Sequence, residues 1–194
     1  MENIDPNARD RADMERLMAG QDTALNDLME RHAAPVFHFL CRMVGNEDDA
    51  NDLGQETFAR VFRARANFRL SDKFSTWLYT IAANLARNHF RWRARHPSIS
   101  LESSADDPEQ TLESILPAQG PSPGEQTIVA ERAAIVRAAV ARLPEDLREA
   151  IVLCEWEERT VAEAAAILET TPKAVESRLY RARKLLREQL KQWL

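Results

Sequence analysis

Residues 160–190 run TVAEAAAILETTPKAVESRLYRARKLLREQL, and this stretch holds two helix starts separated by a tight turn. Thr160, followed three residues later by Glu163, is a capping box: the hydroxyl accepts from the backbone N–H of residue 163, and the carboxylate reaches back to the N–H of residue 160. Thr171 before Pro172 supplies the second start, an N-cap followed by a first-turn residue that needs no N–H partner. Starts this close leave room for one short helix and a turn, the layout of a helix-turn-helix. In the second helix Val175, Leu179, Ala182, Leu186 and Leu190 repeat at helical spacing and face a core. Lys173, Ser177, Tyr180, Arg181 and Lys184 fall largely outside that stripe, and the first turns of this outer face are where base contacts are expected. A basic run on one helix is ordinarily a solvated face. The capped short helix, the turn and the clustered Lys and Arg together favour DNA binding.

The chain has 194 residues, 44% of them hydrophobic and 29% charged, which suits one large or two small globular domains. No apolar run approaches the roughly 20 residues that span a bilayer, and residues 1–10 lack a signal-peptide apolar segment. A cytoplasmic protein with no membrane insertion is therefore expected. Cys41 and Cys154 are too few for a disulfide framework, and His38 with Cys41 has no second ligand pair at zinc spacing, so neither a metal nor a cofactor is expected. A net charge of −5 is unusual for a DNA binder until it is divided along the chain. Residues 1–59 hold 13 acids against 5 bases, whereas 60–96 hold 9 bases against Asp72 alone. Residues 97–130 carry no Lys or Arg and six acids, and 173–194 carry seven bases against two acids. Two basic patches are thus separated by an acidic tether.

The tether, residues 97–124, contains Pro97, Pro108, Pro117, Pro121 and Pro123, five of the nine prolines. It reads as a flexible linker, in which Leu112, Ile115 and Leu116 could form a short docking turn. The periodicity on both sides is helical and no strand or hairpin pattern occurs, so the expected fold is all-α, two small helical domains over 1–96 and 125–194. In the first domain, helices are expected near 10–18, 22–44, 48–66 and 75–95. The third carries Asp48, Asp49, Asp52, Gln55 and Glu56 in its first half. Acids near a helix start are favoured by the macrodipole, but like charges four apart repel by a few tenths of a kcal/mol. A basic protein partner would relieve that repulsion. The fourth helix has an apolar stripe of Phe74, Leu78, Ile81 and Leu85 and a second side of Thr76, Thr80, Asn84, Arg87 and Arg91, with Asn88 beside it. Phe68, Trp77, Tyr79, Phe90 and Trp92 surround it. Most such aromatics belong to a core, but aromatics interleaved with Arg also suit single-stranded nucleic acid, where bases stack and phosphates pair.

Asp52, Leu53, Gln55, Glu56 and Phe58, followed by Phe74, Thr76, Trp77, Leu78, Tyr79, Ile81, Ala82 and Asn84, resemble region 2 of the extracytoplasmic-function sigma factors of bacterial RNA polymerase. Leu143, Pro144, Leu147 and Arg148, then Ser177, Arg178, Leu179, Tyr180, Arg181, Ala182 and Arg183, resemble their region 4. The resemblance implies a promoter-specificity subunit with no catalytic residues. It implies that Asp48, Asp49, Asp52, Gln55 and Glu56 dock on the β′ clamp helices of core polymerase, with the β flap as a second contact. Phe68, Thr80, Asn84, Arg87, Asn88 and Arg91 would serve the minus-10 element, where unstacking a flipped base costs a few kcal/mol. Lys173, Glu176, Ser177, Tyr180 and Arg181 would serve the minus-35 element, bases in the major groove and phosphate at Lys173. The linker would thread the polymerase cleft, and an anti-sigma factor would hold the protein inactive.

The sequence departs from the family at four positions. Glu169 and Lys173 stand where the family often has glycine, in the helix-turn-helix turn and at the start of the recognition helix, so the turn is expected to be built differently. Glu176 stands where a basic residue is common, and Gly54 interrupts the docking helix at about 1 kcal/mol relative to alanine. The alternative reading is a two-domain helix-turn-helix regulator that acts without replacing sigma. An enzyme is disfavoured by the lack of a phosphate loop, paired metal ligands or a nucleophile motif.

Overall fold

A computed structural model describes residues 6–96 and 123–191, and all regular structure among these residues is helical. Residues 97–122 of the expected linker lie outside the described residues, and its last two positions, Pro123 and Gly124, already open a helix.

The first unit contains α1 (Pro6–Met18), α2 (Ala24–Val44), α3 (Glu47–Ala64) and α4 (Phe74–Arg95), with a single 3-10 turn at Arg65–Asn67. α1 begins earlier than expected because Pro6 is tolerated in a first turn, where its missing N–H has no partner to lose. α2 ends on Gly45 at φ 75°, whose N–H returns to the Cys41 carbonyl at 2.9 Å. The next residue, Asn46, caps α3 by accepting from the Asp49 N–H at 2.8 Å. Met14, Leu17, Leu28, Phe39, Leu40, Met43, Val61 and Leu78 are fully buried between these helices. Each such side chain contributes about 1.5–3 kcal/mol over its exposed state. Ile81, read as part of the apolar stripe, is only half-buried. Polar groups fasten α1 to α2: Arg31 donates to Asp10 at 3.0 Å and to Asp13 at 2.6 Å, and His32 lies 2.9 Å from Asp10.

The second unit contains α5 (Pro123–Ala141), α6 (Glu145–Ile151), α7 (Val161–Ile167) and α8 (Pro172–Leu190). A π turn at Val152–Trp156 widens the end of α6, and such insertions change the direction in which following side chains leave the helix. Val152, Leu153, Ile167, Val175 and Ala182 are its fully buried centre or close to it.

The two units are packed on each other: α2 meets α5 and the π turn, and α4 meets α7. A sequence reading that assigns them to separate domains contains no trace of this contact. Arg148 is one of its anchors, donating to the Met43 carbonyl at the end of α2 at 2.6 Å and to the Leu143 carbonyl after α5 at 3.0 Å. Its guanidinium also sits 5.3 Å from the Phe90 ring centroid.

Candidate nucleic-acid interface

The helix-turn-helix forms as its caps dictate. The Glu163 N–H donates to Thr160 Oγ1 at 3.2 Å, and the Thr160 N–H donates to Glu163 Oε2 at 3.0 Å. The Thr171 hydroxyl accepts from the Ala174 N–H at 3.2 Å, with Pro172 in the first turn of α8. Glu169 sits in the turn at φ 51°, so the left-handed conformation is present here without a glycine. The turn thus keeps a left-handed residue that carries a Cβ, at a penalty of about 1–2 kcal/mol. Val175, Leu179 and Ala182 are buried, while Leu186 and Leu190 are half-buried. On the opposite face Lys173, Glu176, Ser177, Tyr180 and Arg181 are all exposed, Tyr180 at 72%. Arg181 is held only by long contacts, its Nε donating to the Ser177 carbonyl at 3.4 Å and its Nη2 3.9 Å from Asp146, so its two terminal nitrogens can turn to two parallel hydrogen bonds.

In the first unit, Asn84 opens onto a cavity of about 480 Å³ lined with Trp77, Asn67, Arg60, Arg63 and Glu56. Sequence reasoning placed Asn84 but not this surround; the run of nine bases over 60–96 was the only trace of Arg60 and Arg63. The Asn84 carbonyl oxygen accepts from Arg87 at 2.7 Å, so its amide donors are what it offers outward. The Thr80 hydroxyl is spent on its own helix, donating to the Thr76 carbonyl at 2.9 Å. Asn88 and Arg91 are exposed.

Two residues expected at this face are placed otherwise. Phe68 is 5% exposed, packed 6.1 Å from Phe74 and 5.1 Å from Trp77 between ring centroids, so in this conformation its ring belongs to the core and supports Trp77. Arg87 is half-buried and donates to Glu149 of α6 at 2.5 Å. Among the aromatics around α4, Trp92 alone is more than half exposed.

The acids of α3 divide. Glu56 turns toward the basic face: Arg60 donates to it at 2.9 Å and Arg63 at 2.8 Å, and the first of these bonds leads the causes that hold its carboxyl below the usual range. Asp49 lies 3.4 Å from both Arg93 and His89. The surplus charge expected to need a partner is thus partly offset inside the unit. Asp48, Asp52 and Gln55 are exposed, and neither aspartate has an ion-pair partner among the described residues.

Four side chains tie the units together next to this face. Tyr79 donates to Glu157 at 2.6 Å, and Arg42 reaches the other oxygen of the same carboxylate at 3.2 Å. Lys73 donates to Glu163 at 2.8 Å, and this bond is the largest cause of a carboxyl lowered to about 2. Arg159 lies over the Tyr79 ring at 4.5 Å from the centroid and donates to Ser75 Oγ at 3.3 Å. Burial raises the carboxyl of Glu149 in spite of Arg87. Among the described residues there is no cluster of potential metal ligands, and no helix is long and apolar enough to cross a membrane.

The sequence model of Sigma-70 region 2 matches residues 28–96, and that of Sigma-70, region 4 matches residues 133–186. The chain is 33% identical over 178 residues to the RNA polymerase sigma-H factor of Pseudomonas aeruginosa, covering 89% of each sequence. It is 30% identical over 179 residues to the ECF RNA polymerase sigma factor SigW of Bacillus subtilis, covering 92% of this chain and 95% of that one. Two solved structures are similar throughout. CnrH in complex with the cytosolic domain of CnrY gives a TM-score of 0.69 at 25% identity, covering 95% of this chain and 98% of the other. The sigma factor RpoE in complex with the anti-sigma factor NepR, from Bartonella quintana, gives 0.65 at 26% identity, with 87% and 98% covered.

Proposed function

The chain belongs to the extracytoplasmic-function sigma factors of bacterial RNA polymerase, and from that membership we propose how its surfaces divide the work. As a sigma factor it directs transcription initiation at promoters, and the family is not one of enzymes. Residues 1–96 act as the core-docking and minus-10 unit, and residues 125–194 as the minus-35 unit. Asp48, Asp52 and Gln55 meet basic residues of the β′ clamp helices, and Glu56 instead keeps Arg60 and Arg63 in place. Asn84, with Thr80, Asn88 and Arg91 beside it, reads an unstacked minus-10 base in the cavity walled by Trp77. Glu176, Ser177, Tyr180 and Arg181 enter the major groove, and Lys173 takes a phosphate. The protein works in the cytoplasm, and an anti-sigma factor of the kind named with the similar RpoE structure restrains it.

The observation that carries this division is the pair of separate polar faces, one on α8 around the exposed Tyr180 and one around the Asn84 cavity. Duplex and unstacked DNA need different readers, and one face suits each. The test is run-off transcription from a promoter library with core polymerase, with and without this chain. Specific transcripts are expected only in its presence. Asp48→Lys with Asp52→Lys is expected to abolish a core-polymerase pull-down while the free protein melts normally, and Asn84→Ala to keep core binding but slow open-complex formation. Transcripts that appear only when another sigma factor is added would overturn the reading.

A further inference from the structure

α5 carries two arginines on its apolar side. Arg132, Ala133, Val136, Arg137 and Val140 recur at helical spacing and so share one face, and that face lines a cleft of about 650 Å³ against the end of α2 and the π turn. An amphipathic helix ordinarily turns such cations away from its apolar stripe. Here both arginines stand exposed at the cleft, and neither has an ion-pair partner among the described residues. The first unit supplies Cys41 and Arg42 from the last turn of α2 and Glu47 from the first turn of α3, and the π turn adds Trp156.

The chemistry of the lining selects a ligand. Arg42 is already taken by Glu157 at 3.2 Å, and its guanidinium lies 5.9 Å from the centroid of Trp156, a ring that remains 36% exposed. Burial pushes the Cys41 thiol up to about 11, so it stays neutral and adds to the apolar wall. Glu47, the one acid of the lining, belongs to α3 and makes no ion pair with either arginine of α5. We propose that this cleft binds a small amphipathic carboxylate, its apolar body along Cys41, Val136, Val140 and Trp156 and its head held by Arg132 and Arg137. The volume suits one small molecule with a few polar anchors. A cationic ligand would meet two guanidiniums, and a wholly apolar one would give them no acceptor, whereas a carboxylate takes charge-assisted hydrogen bonds from both. None of the lining residues belongs to either DNA face or to the docking acids of α3.

The test titrates the full chain by calorimetry with three ligands of one chain length: decanoate, decanol and protonated decylamine. Decanoate is expected to saturate a single site, about tenfold more tightly than decanol, and decylamine is expected not to bind. Arg132→Gln combined with Arg137→Gln is expected to remove the preference for decanoate while decanol binds as in the parent. Retained decanol binding separates a lost anion site from a lost fold. Position is read with a bromine-tipped undecanoate, which quenches nearby tryptophan emission. Trp156 alone of the four tryptophans lines the cleft, so the quenching is expected to disappear in Trp156→Phe.

Equal affinity for decanoate and decanol in the parent protein would overturn the proposal, and so would unsaturable uptake of decanoate or no uptake at all. Quenching that persists undiminished in Trp156→Phe would place the ligand elsewhere and overturn it as well. Run-off transcription tests the promoter-directing assignment separately, because the cleft and the two DNA faces share no residue.

Discussion

Gly54 lies inside α3, and a Cβ added there would meet only Leu40 Cδ1, at 4.0 Å, an ordinary van der Waals contact. Nothing among the described residues explains the glycine. Gly54→Ala is therefore expected to raise stability by about 1 kcal/mol, the helix-interior difference between the two residues, as measured by denaturant unfolding. A fall in stability would mean that α3 needs freedom at this point. Glu169 is the converse case. It holds φ at 51° with a Cβ in place, so Glu169→Gly relieves about 1–2 kcal/mol of strain and loses part of that to the greater freedom of the unfolded chain. The expected net gain is about 0.5–1 kcal/mol, read from the same unfolding curves. Both residues show how a sequence departure from family habit becomes a number once the backbone angle and the surrounding space are known.

α7 and α8 are organised by their ends more than by their length. α7 spans seven residues, too short to be stable alone, and its capping box and the burial of Ala164, Ala165 and Ile167 hold it. α8 is long enough to carry a buried stripe and an exposed reading face together. On that face Arg181 and Lys173 have different chemistry. Arg181→Ala is expected to weaken promoter binding by about 1–3 kcal/mol and to relax preference at one base position, because a bidentate guanidinium contact is lost. Lys173→Ala should weaken all sequences alike and lower the salt slope by about one unit. Competition binding of holoenzyme over a minus-35 library at several salt concentrations separates the two. Equal loss on every sequence for Arg181→Ala would remove it from base reading.

The contact between the units responds to acid through Glu163. Its carboxyl is lowered from 4.5 to about 2, first by the Lys73 bond and then by the Thr160 backbone N–H. A lowered folded value means that the stabilisation is complete above the ordinary value and is lost as pH falls through the folded one. The α4 and α7 amide resonances should therefore shift together as pH drops from 4.5 toward 2, with Glu163 itself titrating near the lower end. Glu149 acts in the opposite sense, since burial raises its carboxyl and its ionised form is the disfavoured one. A Glu163 side chain that titrates near 4.5 would show that the Lys73 pair does not form in solution.

The helix starts at residues 160 and 171, the all-helical class and the split of charge along the chain were legible without coordinates, because caps and periodicity act within a few residues. The exposed set on α8 followed from the same periodicity, since the face opposite Val175, Leu179 and Ala182 has nowhere to point but solvent. What lies against a buried face is another matter. Arg87 and Glu149 are 62 residues apart, and Tyr79 and Glu157 are 78 apart; neither side chain announces its partner. Glu56 pairs with Arg60 and Arg63 of its own helix, four and seven residues on, a spacing that the sequence already carried, whereas the enclosure of Phe68 by Phe74 and Trp77 needed the fold. Local sequence sets which side of each helix is apolar. Which apolar sides meet, and so which acids end up beside which bases, is settled only when the helices pack and the buried charges must find partners.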